Sequence, residues 1–274
     1  MRAEKRLRLI QKLERQFPEY SKEKLKAKLL AGVFKVDGET VYDPNRFIHD
    51  TARCEEVQRK YVSRGGLKLE YALKSWGIPV TEKVFLDAGA STGGFTDCLL
   101  QSGARFVHAV DVGYNQIDFS LRTDPRVQVH ERKNIMDCTD FDPPPHAAVA
   151  DLSFRSVVSA AEHIVHLTLE KWAIILIKPQ FEYAAERGDQ TDEERYFNGV
   201  LQDTEIIRQM VVGVLSALKM RNINAGRLDI SPIQGRKGNS EFLAYIFRNN
   251  GSFPGTEEDG KVPLIEDLVD TALA

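Results

Sequence analysis

The sequence predicts an α/β protein built around a doubly wound, mostly parallel sheet of seven strands, with a small α+β domain at its N-terminus. Three observations lead to this prediction. From residue 84 onward short apolar runs alternate with amphipathic stretches, a glycine-rich turn follows the first run, and residues 1–60 differ in charge from the rest. A length of 274 residues, with 42% hydrophobic and 28% charged residues, is typical of a globular protein larger than one average domain.

The first 60 residues form the small domain. Apolar residues at helical spacing predict helices over 4–17 and 22–31, and residues 32–42 alternate as a hairpin around the turn Asp37-Gly38. These 60 residues hold 15 Lys and Arg against 10 Asp and Glu, whereas the remaining chain holds 22 against 30. The formal net charge of −3 is therefore the sum of +5 in residues 1–60 and −8 in the rest of the chain. A basic surface that binds nucleic acid phosphates is compatible with this negative total.

The candidates for phosphate contact are four lysines of the second predicted helix and one arginine of the following linker, namely Lys22, Lys24, Lys26, Lys28 and Arg64. A solvated helical face is the alternative and the more common role of a lysine run. The order helix, helix, hairpin and the segment YSKEKLKAKLLAGVFKVDGE resemble the alpha-L domain, first seen in ribosomal small-subunit protein four. This resemblance implies that residues 1–60 bind RNA.

Seven strands are predicted in the larger part of the chain, over 84–88, 106–111, 127–130, 147–151, 172–177, 223–230 and 241–247. Helices are predicted over 66–76, 94–102, 155–169 and 200–219. No helix separates the last two strands, so the final strand is expected to insert antiparallel. This is the strand inventory of a class I, Rossmann-like methyltransferase. Residues 249–274 are expected to be an acidic, loosely attached tail.

A glycine-rich turn after the first strand predicts a cofactor site, because such a turn lets the backbone approach a ligand at the end of the strand. Ser91 stands where a dinucleotide-binding turn needs a second glycine to admit pyrophosphate, which favours a ligand without pyrophosphate, such as S-adenosylmethionine. Asp111 ends the next strand and is suited to accept hydrogen bonds from ribose hydroxyls. The predicted cofactor-binding residues are Asp87, Gly89, Ser91, Gly93, Asp111 and Asn134. A turn-closing role is the alternative for Asp87.

Four charged residues are the candidates for catalysis, namely Lys68, Asp151, Lys178 and Glu241. A lysine directly after the apolar run 173–177 is costly to bury unless it is paired. A ribose 2′-hydroxyl must lose its proton as a methyl group transfers to it, and an amine whose pKa falls toward neutrality can accept that proton. The alternative is a buried structural ion-pair network, because spacing alone does not bring the four together. The three cysteines lack C-x-x-C spacing and lie away from the predicted site, so the sequence indicates neither a zinc cage nor a cysteine nucleophile.

Segments spread from residue 61 to residue 247 resemble the TlyA family, which carries a hemolysin label and is similar to FtsJ-type 2′-O-ribose methyltransferases of ribosomal RNA. They are YVSRGGLKLEYAL, FLDAGASTGGFTDCLLQSGA, VDVGYNQ, KNIMD, DLSF, ILIKPQFE and SPIQGRKGNSEFL. The resemblance implies a methyltransferase domain over 61–248 that uses S-adenosylmethionine to methylate ribose in ribosomal RNA, with cytidine as a candidate nucleotide. It also assigns the catalytic set to the four charged residues above, with Lys178 as the proton acceptor.

Two other functions stay open at this stage. A non-catalytic protein that binds RNA or ribosomes and retains cofactor affinity is disfavoured by the four charged residues. A membrane-active hemolysin is disfavoured because the apolar runs fall far short of the roughly 20 residues that a membrane helix needs, and the charged N-terminus is no signal peptide. We therefore expect a cytoplasmic enzyme that acts on ribosomal RNA or on a ribosomal subunit and has no membrane partner.

Overall fold

The computed structural model describes residues 6–30, 32–57, 59–153, 156–187, 199–235, 238–248 and 262–274. The chain divides into two compact units, Met1–Ser63 and Arg64–Ala274. Each unit has a hydrophobic core of its own.

The first unit combines two helices with short strands. In its described part these are β1 (Arg6–Arg8), α1 (Leu9–Gln16), α2 (Lys22–Leu30), β2 (Phe34–Val36), β3 (Glu39–Thr40), β4 (Phe47–His49) and β5 (Cys54–Glu56). The predicted hairpin is present, with β2 and β3 joined by the turn Asp37-Gly38, and β2 also pairs with β5. The helix predicted from residue 4 is wrong at its start, because Arg6–Arg8 pair with β4 as a strand instead.

The second unit begins with α3 (Gly65–Ser75) and then alternates strands and helices. Its described strands are β6 (Val84–Ala88), β7 (Phe106–Asp111), β8 (Val127–Glu131), β9 (Ala147–Ala150), β10 (Trp172–Ile177), β11 (Ile223–Ile230) and β12 (Phe242–Arg248). Its described helices after α3 are α4 (Gly94–Gln101), α5 (Phe119–Arg122), α6 (Val158–His166), α7 (Pro179–Arg187), α8 (Thr204–Lys219) and α9 (Ile265–Leu273), with a 3₁₀ turn at Ile135–Asp137.

The strands of the second unit form one seven-stranded sheet in the order β11, β12, β10, β9, β6, β7, β8. The sheet is parallel except for β12, which lies antiparallel between β10 and β11. The predicted fold class and the antiparallel insertion are thereby confirmed. The strand order reverses beside β6, which has β9 on one side and β7 on the other. In open α/β sheets the carboxyl ends of the strands at such a reversal form the crevice where ligands bind.

Two helices differ from the prediction for local reasons. The helix expected from residue 200 begins at Thr204, because the carboxylate of Asp203 caps it by accepting hydrogen bonds from the amides of Glu205 and Ile206. Helix α7 was not predicted, although its first residue, Pro179, is well suited to that position: a helix needs no hydrogen bond from its first amide.

The expectation of a loosely attached tail is wrong for residues 262–274. Helix α9 packs against α8 and β11, and the side chain of Val269 is 0% exposed within the core of the second unit. The guanidinium of Arg208 in α8 donates to the carboxylate of Asp270 over 2.8 Å. The apolar residues of α9 recur at helical spacing, which turns one face toward the core.

We expect the substitution Val269→Ala to lower the free energy of unfolding by about 2 kcal/mol, because it removes two methyl groups from a buried site. Leu264→Ala, at an exposed position just before α9, is the matched control and should change it by less than about 0.5 kcal/mol. Urea unfolding followed by circular dichroism measures both. Equal effects of the two substitutions would show that α9 is not part of the cooperative core.

Candidate active site

A cleft of about 210 Å³ opens at the carboxyl ends of β6, β7 and β9, where the strand order reverses. Its walls come from the loops after these strands and from the segment that follows β8. The lining residues are Gly89, Ser91, Val110, Asp111, Val112, Gln116, Lys133, Ile135, Asp151, Leu152 and Ser153. Three of the predicted cofactor-binding residues, Gly89, Ser91 and Asp111, are therefore walls of the cleft.

The glycine turn brings its backbone against the loop after β9. Gly89 has φ +84°, and a Cβ atom at this position would lie 2.6 Å from the carbonyl oxygen of Asp151, so no side chain fits there. Gly93 has φ +92° and precedes α4, where a Cβ atom would collide with Leu121. Gly89 thus lets the turn pack against the backbone after β9, and Gly93 lets the start of α4 pack against Leu121.

Asp87 lies beneath the glycine turn, fully buried, and does not line the cleft. Its Oδ2 accepts a hydrogen bond of 2.6 Å from the hydroxyl of Thr96, and its Oδ1 has no hydrogen-bond partner. Burial raises the pKa of Asp87 to about 7, since the low-dielectric interior disfavours the charged form. The geometry therefore gives Asp87 a supporting position under the turn that follows it.

Asp111 connects the two loops that frame the cleft. Its carboxylate accepts hydrogen bonds from the amide of Ser91 at 2.8 Å and from the amide of Gly113 at 2.6 Å. A carboxylate offers about four acceptor positions, so the oxygens can still receive hydrogen bonds from a ligand. Asn134 instead caps the 3₁₀ turn by accepting from the amide of Met136, while its neighbours Lys133 and Ile135 line the cleft.

Lys178 follows β10 directly and pairs with Asp151, which follows β9. The Nζ atom of Lys178 lies 2.6 Å from Oδ1 of Asp151 and donates to the hydroxyl of Ser153 over 3.2 Å. Lys178 is 9% exposed and does not itself line the cleft, whereas its partners Asp151 and Ser153 do. The amine is thus held at the edge of the cleft by two groups that border the ligand space.

Lys68 and Glu241 form a second ion pair, which joins α3 to the start of β12. The exposed fractions of these residues are 8% and 4%, so the pair is almost completely removed from water. The two partners are 173 positions apart in the sequence. Burying either charge alone would cost several kcal/mol, so each of them requires the other.

Both ion pairs lie at the same edge of the sheet. Ile177 is opposite Phe242 in the pairing of β10 with β12, so Lys178 and Glu241 extend side by side from neighbouring strands. Asp151 leaves β9, the other neighbour of β10. The parallel strands of this sheet end at this edge, next to the cleft. The four charged residues that sequence reasoning singled out thus form two lysine–carboxylate pairs around one end of the sheet.

Two further residues of this edge were not singled out from the sequence, although both lie within the quoted motifs DLSF and ILIKPQFE. The hydroxyl of Ser153 accepts a hydrogen bond from the amine of Lys178. Glu182 in α7 is buried and accepts a hydrogen bond of 2.8 Å from the amide of Val157, which ties α7 to the segment after Ser153. Burial raises the pKa of Glu182 above its ordinary value. Phe154 of the DLSF motif lies outside the described residues.

The basic residues predicted to contact RNA are in different situations. In the first unit, Lys22 lies 3.4 Å from a carboxylate oxygen of Glu14, and Lys28 pairs with Glu56. Lys24 and Lys26 are exposed on α2. In the second unit, the guanidinium of Arg64 donates to the carbonyl oxygen of Gln234 over 3.1 Å. Lys24 and Lys26 are therefore exposed members of the set, and the amine of Lys24 lies 5.1 Å from the centre of the Tyr20 ring.

Comparison with known proteins identifies the family. Residues 61–247 match the sequence profile described as FtsJ-like methyltransferase, which covers more than half of the chain. The chain belongs to the FtsJ-like methyltransferase family. Among the relatives, Hemolysin A of Brachyspira hyodysenteriae is 42% identical over 235 residues, which are 83% of this chain and 95% of that protein. This match and relatives that carry the TlyA name confirm the resemblance to the TlyA family.

Two more relatives extend the comparison. A Mycobacterium tuberculosis protein named 16S/23S rRNA (cytidine-2′-O)-methyltransferase TlyA is 36% identical over 227 residues, which are 79% of this chain and 80% of that protein. The solved structure of a hemolysin-type protein from Streptococcus thermophilus superposes with a TM-score of 0.68 and 31% identity, covering 99% of this chain and 97% of the other.

None of the helices in the described part of the chain combines the length and the hydropathy that crossing a membrane requires.

Proposed function

We propose that this FtsJ-like methyltransferase transfers a methyl group from S-adenosylmethionine to a ribose 2′-hydroxyl of ribosomal RNA, in the cytoplasm. The observation that carries the proposal is the pair of lysine–carboxylate contacts at the carboxyl edge of the sheet, beside the cleft. The names of the relatives support the choice of substrate, with cytidine as the candidate nucleotide.

The residues of the cleft fit S-adenosylmethionine. Gly89 lines the cleft with bare backbone, and Asp111 and Asp151 place carboxylates around a ligand that carries a positive charge and ribose hydroxyls. Asp111 would accept hydrogen bonds from the ribose hydroxyls, and Gly89 and Ser91 would border the ligand as walls of the cleft. Asp87 would act from below, by fixing the turn through Thr96. When bound, the cofactor supplies an electrophilic methyl group.

Lys178 is assigned the acid–base role. As the 2′-oxygen forms its new bond to the methyl carbon, the bond from that carbon to sulfur and the O–H bond both break, and the proton would pass to the neutral amine of Lys178. The ammonium form that pairs with Asp151 has no lone pair, so Lys178 would have to lose a proton before the transfer. Asp151 and Ser153 orient that amine, because both contact it directly. Lys68 of α3 and Glu241, just before β12, would position the ribose, because a buried ion pair limits the movement of both side chains.

The first unit is proposed to hold the RNA. It carries the net charge of +5, and α2 presents Lys24 and Lys26 to solvent. Neutralising phosphate charges releases counterions from the RNA, so such contacts give an affinity that falls with salt. Lys22 and Lys28 would contribute less, because an acidic side chain of the same unit already neutralises each of them.

We expect the double substitution Lys24→Ala/Lys26→Ala in the full chain to lower RNA affinity at 100 mM salt by about 10-fold. The slope of the logarithm of the binding constant against the logarithm of the salt concentration should become shallower by about 1 to 2. The same pair of changes at Lys22 and Lys28 is the matched control and should have a smaller effect. Filter binding across a salt series measures both. Identical slopes for wild type and the Lys24/Lys26 variant would contradict the assignment of this surface.

The transfer reaction itself tests the proposed function. Methyl-labelled S-adenosylmethionine is incubated with the protein and with small subunits, large subunits or protein-free ribosomal RNA taken from cells that lack the gene. We expect label in RNA from at least one of the three substrates. Cofactor binding without label in any of them would instead favour the non-catalytic, RNA-binding alternative.

A further inference from the structure

Glu241 is preceded by a tight connection between β11 and β12. The amide of Ser231, just after β11, donates to the carbonyl oxygen of Glu241 over 2.8 Å, which closes the connection at its base. Further out, the amide of Gly235 donates to the carbonyl oxygen of Asn239 over 2.9 Å. The described part of the connection therefore folds back toward Glu241, the residue just before β12.

Gly235 lies directly against the carboxylate of Glu241. A Cβ atom added to Gly235 would lie 2.7 Å from Cδ and 3.2 Å from Cγ of Glu241, and closer still to Oε1. Real Cβ atoms essentially never approach a heavy atom within 3.0 Å, so the carboxylate would have to move. The backbone of Gly235 lacks the positive φ of its neighbour Gly238. An L-residue could therefore adopt this conformation, and it is the space, not the backbone, that requires glycine here.

The carboxylate of Glu241 has little freedom to yield. It is 4% exposed and paired with the amine of Lys68, which is itself 8% exposed. Any movement away from Gly235 changes the geometry of this ion pair or leaves a charge without its partner in a region of low dielectric, which is costly. Steric pressure from position 235 is thus transmitted to Lys68 through Glu241.

We propose that Gly235 is a positioning residue for the reaction: its lack of a side chain sets where the Glu241 carboxylate, and with it the Lys68 amine, stands at the edge of the active site. The proposal rests on the proposed function for its catalytic consequence. Gly235 itself would contact neither substrate nor cofactor, because its effect on the reaction passes only through Glu241.

The test compares Gly235→Ala with Gly213→Ala, a glycine in α8 whose added Cβ would meet nothing within 4 Å. We expect Gly235→Ala to lower kcat for RNA methylation by at least about 10-fold. Its affinity for S-adenosylmethionine should stay within about two-fold of wild type. Gly213→Ala should behave as wild type in both measurements. Wild-type kcat in Gly235→Ala would overturn the proposal.

Rescue by a shorter acid separates positioning from general damage to the loop. Glu241→Asp withdraws the carboxylate from position 235 by one methylene, so Gly235→Ala/Glu241→Asp should recover part of the activity and of the thermal midpoint that Gly235→Ala loses. Losses that simply add in the double variant would overturn the proposal. If Gly235→Ala fails to fold, a folded double variant supports the proposal, and an unfolded one counts against it. The thermal readout does not depend on methylation, so it still decides the proposal if the proposed function fails.

Discussion

Replacement of Lys178 by methionine is expected to reduce methyl transfer to ribosomal RNA by 10²- to 10⁴-fold, the range typical of a lost acid–base group. Methionine keeps the length of the side chain but has no atom that accepts the proton of a 2′-hydroxyl. Affinity for S-adenosylmethionine should change by less than about three-fold, because Lys178 does not line the cleft. Single-turnover transfer of labelled methyl groups and equilibrium dialysis of the cofactor measure the two effects.

The matched control for this experiment is Lys74→Met. Lys74 forms an ion pair with Glu70 on α3 but is exposed, so its loss should leave activity and stability nearly unchanged. The side chain of Asp151 is 26% exposed although its Oδ1 is buried against Lys178, so the Lys178 variant should lose some stability but remain folded. Transfer by the Lys178 variant at the rate of the Lys74 variant would remove Lys178 from the reaction.

The buried pair of Lys68 and Glu241 allows stability to be separated from function. Glu241→Leu leaves a buried lysine without its counter-charge and is expected to lower the free energy of unfolding by about 3 kcal/mol or more. Lys68→Met should act in the same direction. The double variant Lys68→Met/Glu241→Leu places two apolar side chains face to face and should recover stability to within about 1 kcal/mol of wild type.

Activity should not follow stability in this series. We expect all three variants to lose at least about 100-fold in methyl transfer, since the charges that would position the ribose are absent from each. Chemical denaturation and transfer assays on the same preparations measure both quantities. A stable double variant with near wild-type activity would mean that this pair is a structural ion-pair network, the alternative that the sequence left open.

The sheet was predictable because its strands are buried on both faces. A run such as Ala173–Ile177 has no amphipathic period and is too short for a buried helix, so length and flanking polar residues identify it as a strand. The antiparallel position of β12 followed from the absence of a helix after β11. Helix α9 fell within the predicted loose tail because the segment before it is rich in glycine and acidic residues, although five of the nine residues of α9 are apolar and recur at helical spacing.

The candidate site was predictable in its residue types but not in its contacts. Sequence motifs indicated two lysines and two acids, yet which lysine pairs with which acid depends on strand order and on the position of α3. Asp87 lies in β6 just before the glycine turn, and its complete burial could not be predicted from the motif. The proposed role of Gly235 depends on its distance from the side chain of Glu241, six positions later at the other end of the same connection, which no spacing rule predicts.

The position of the new methyl group on RNA tests the account most directly. Alkali cleaves RNA through the 2′-hydroxyl, so a nucleotide methylated at that oxygen stays joined to its 3′ neighbour. Ribosomal RNA labelled by the protein is hydrolysed in alkali and the products are separated by size. The account predicts that the label migrates with an alkali-resistant dinucleotide. Label recovered in mononucleotides would place the methyl group on a base and would contradict the assignment of ribose 2′-O-methylation.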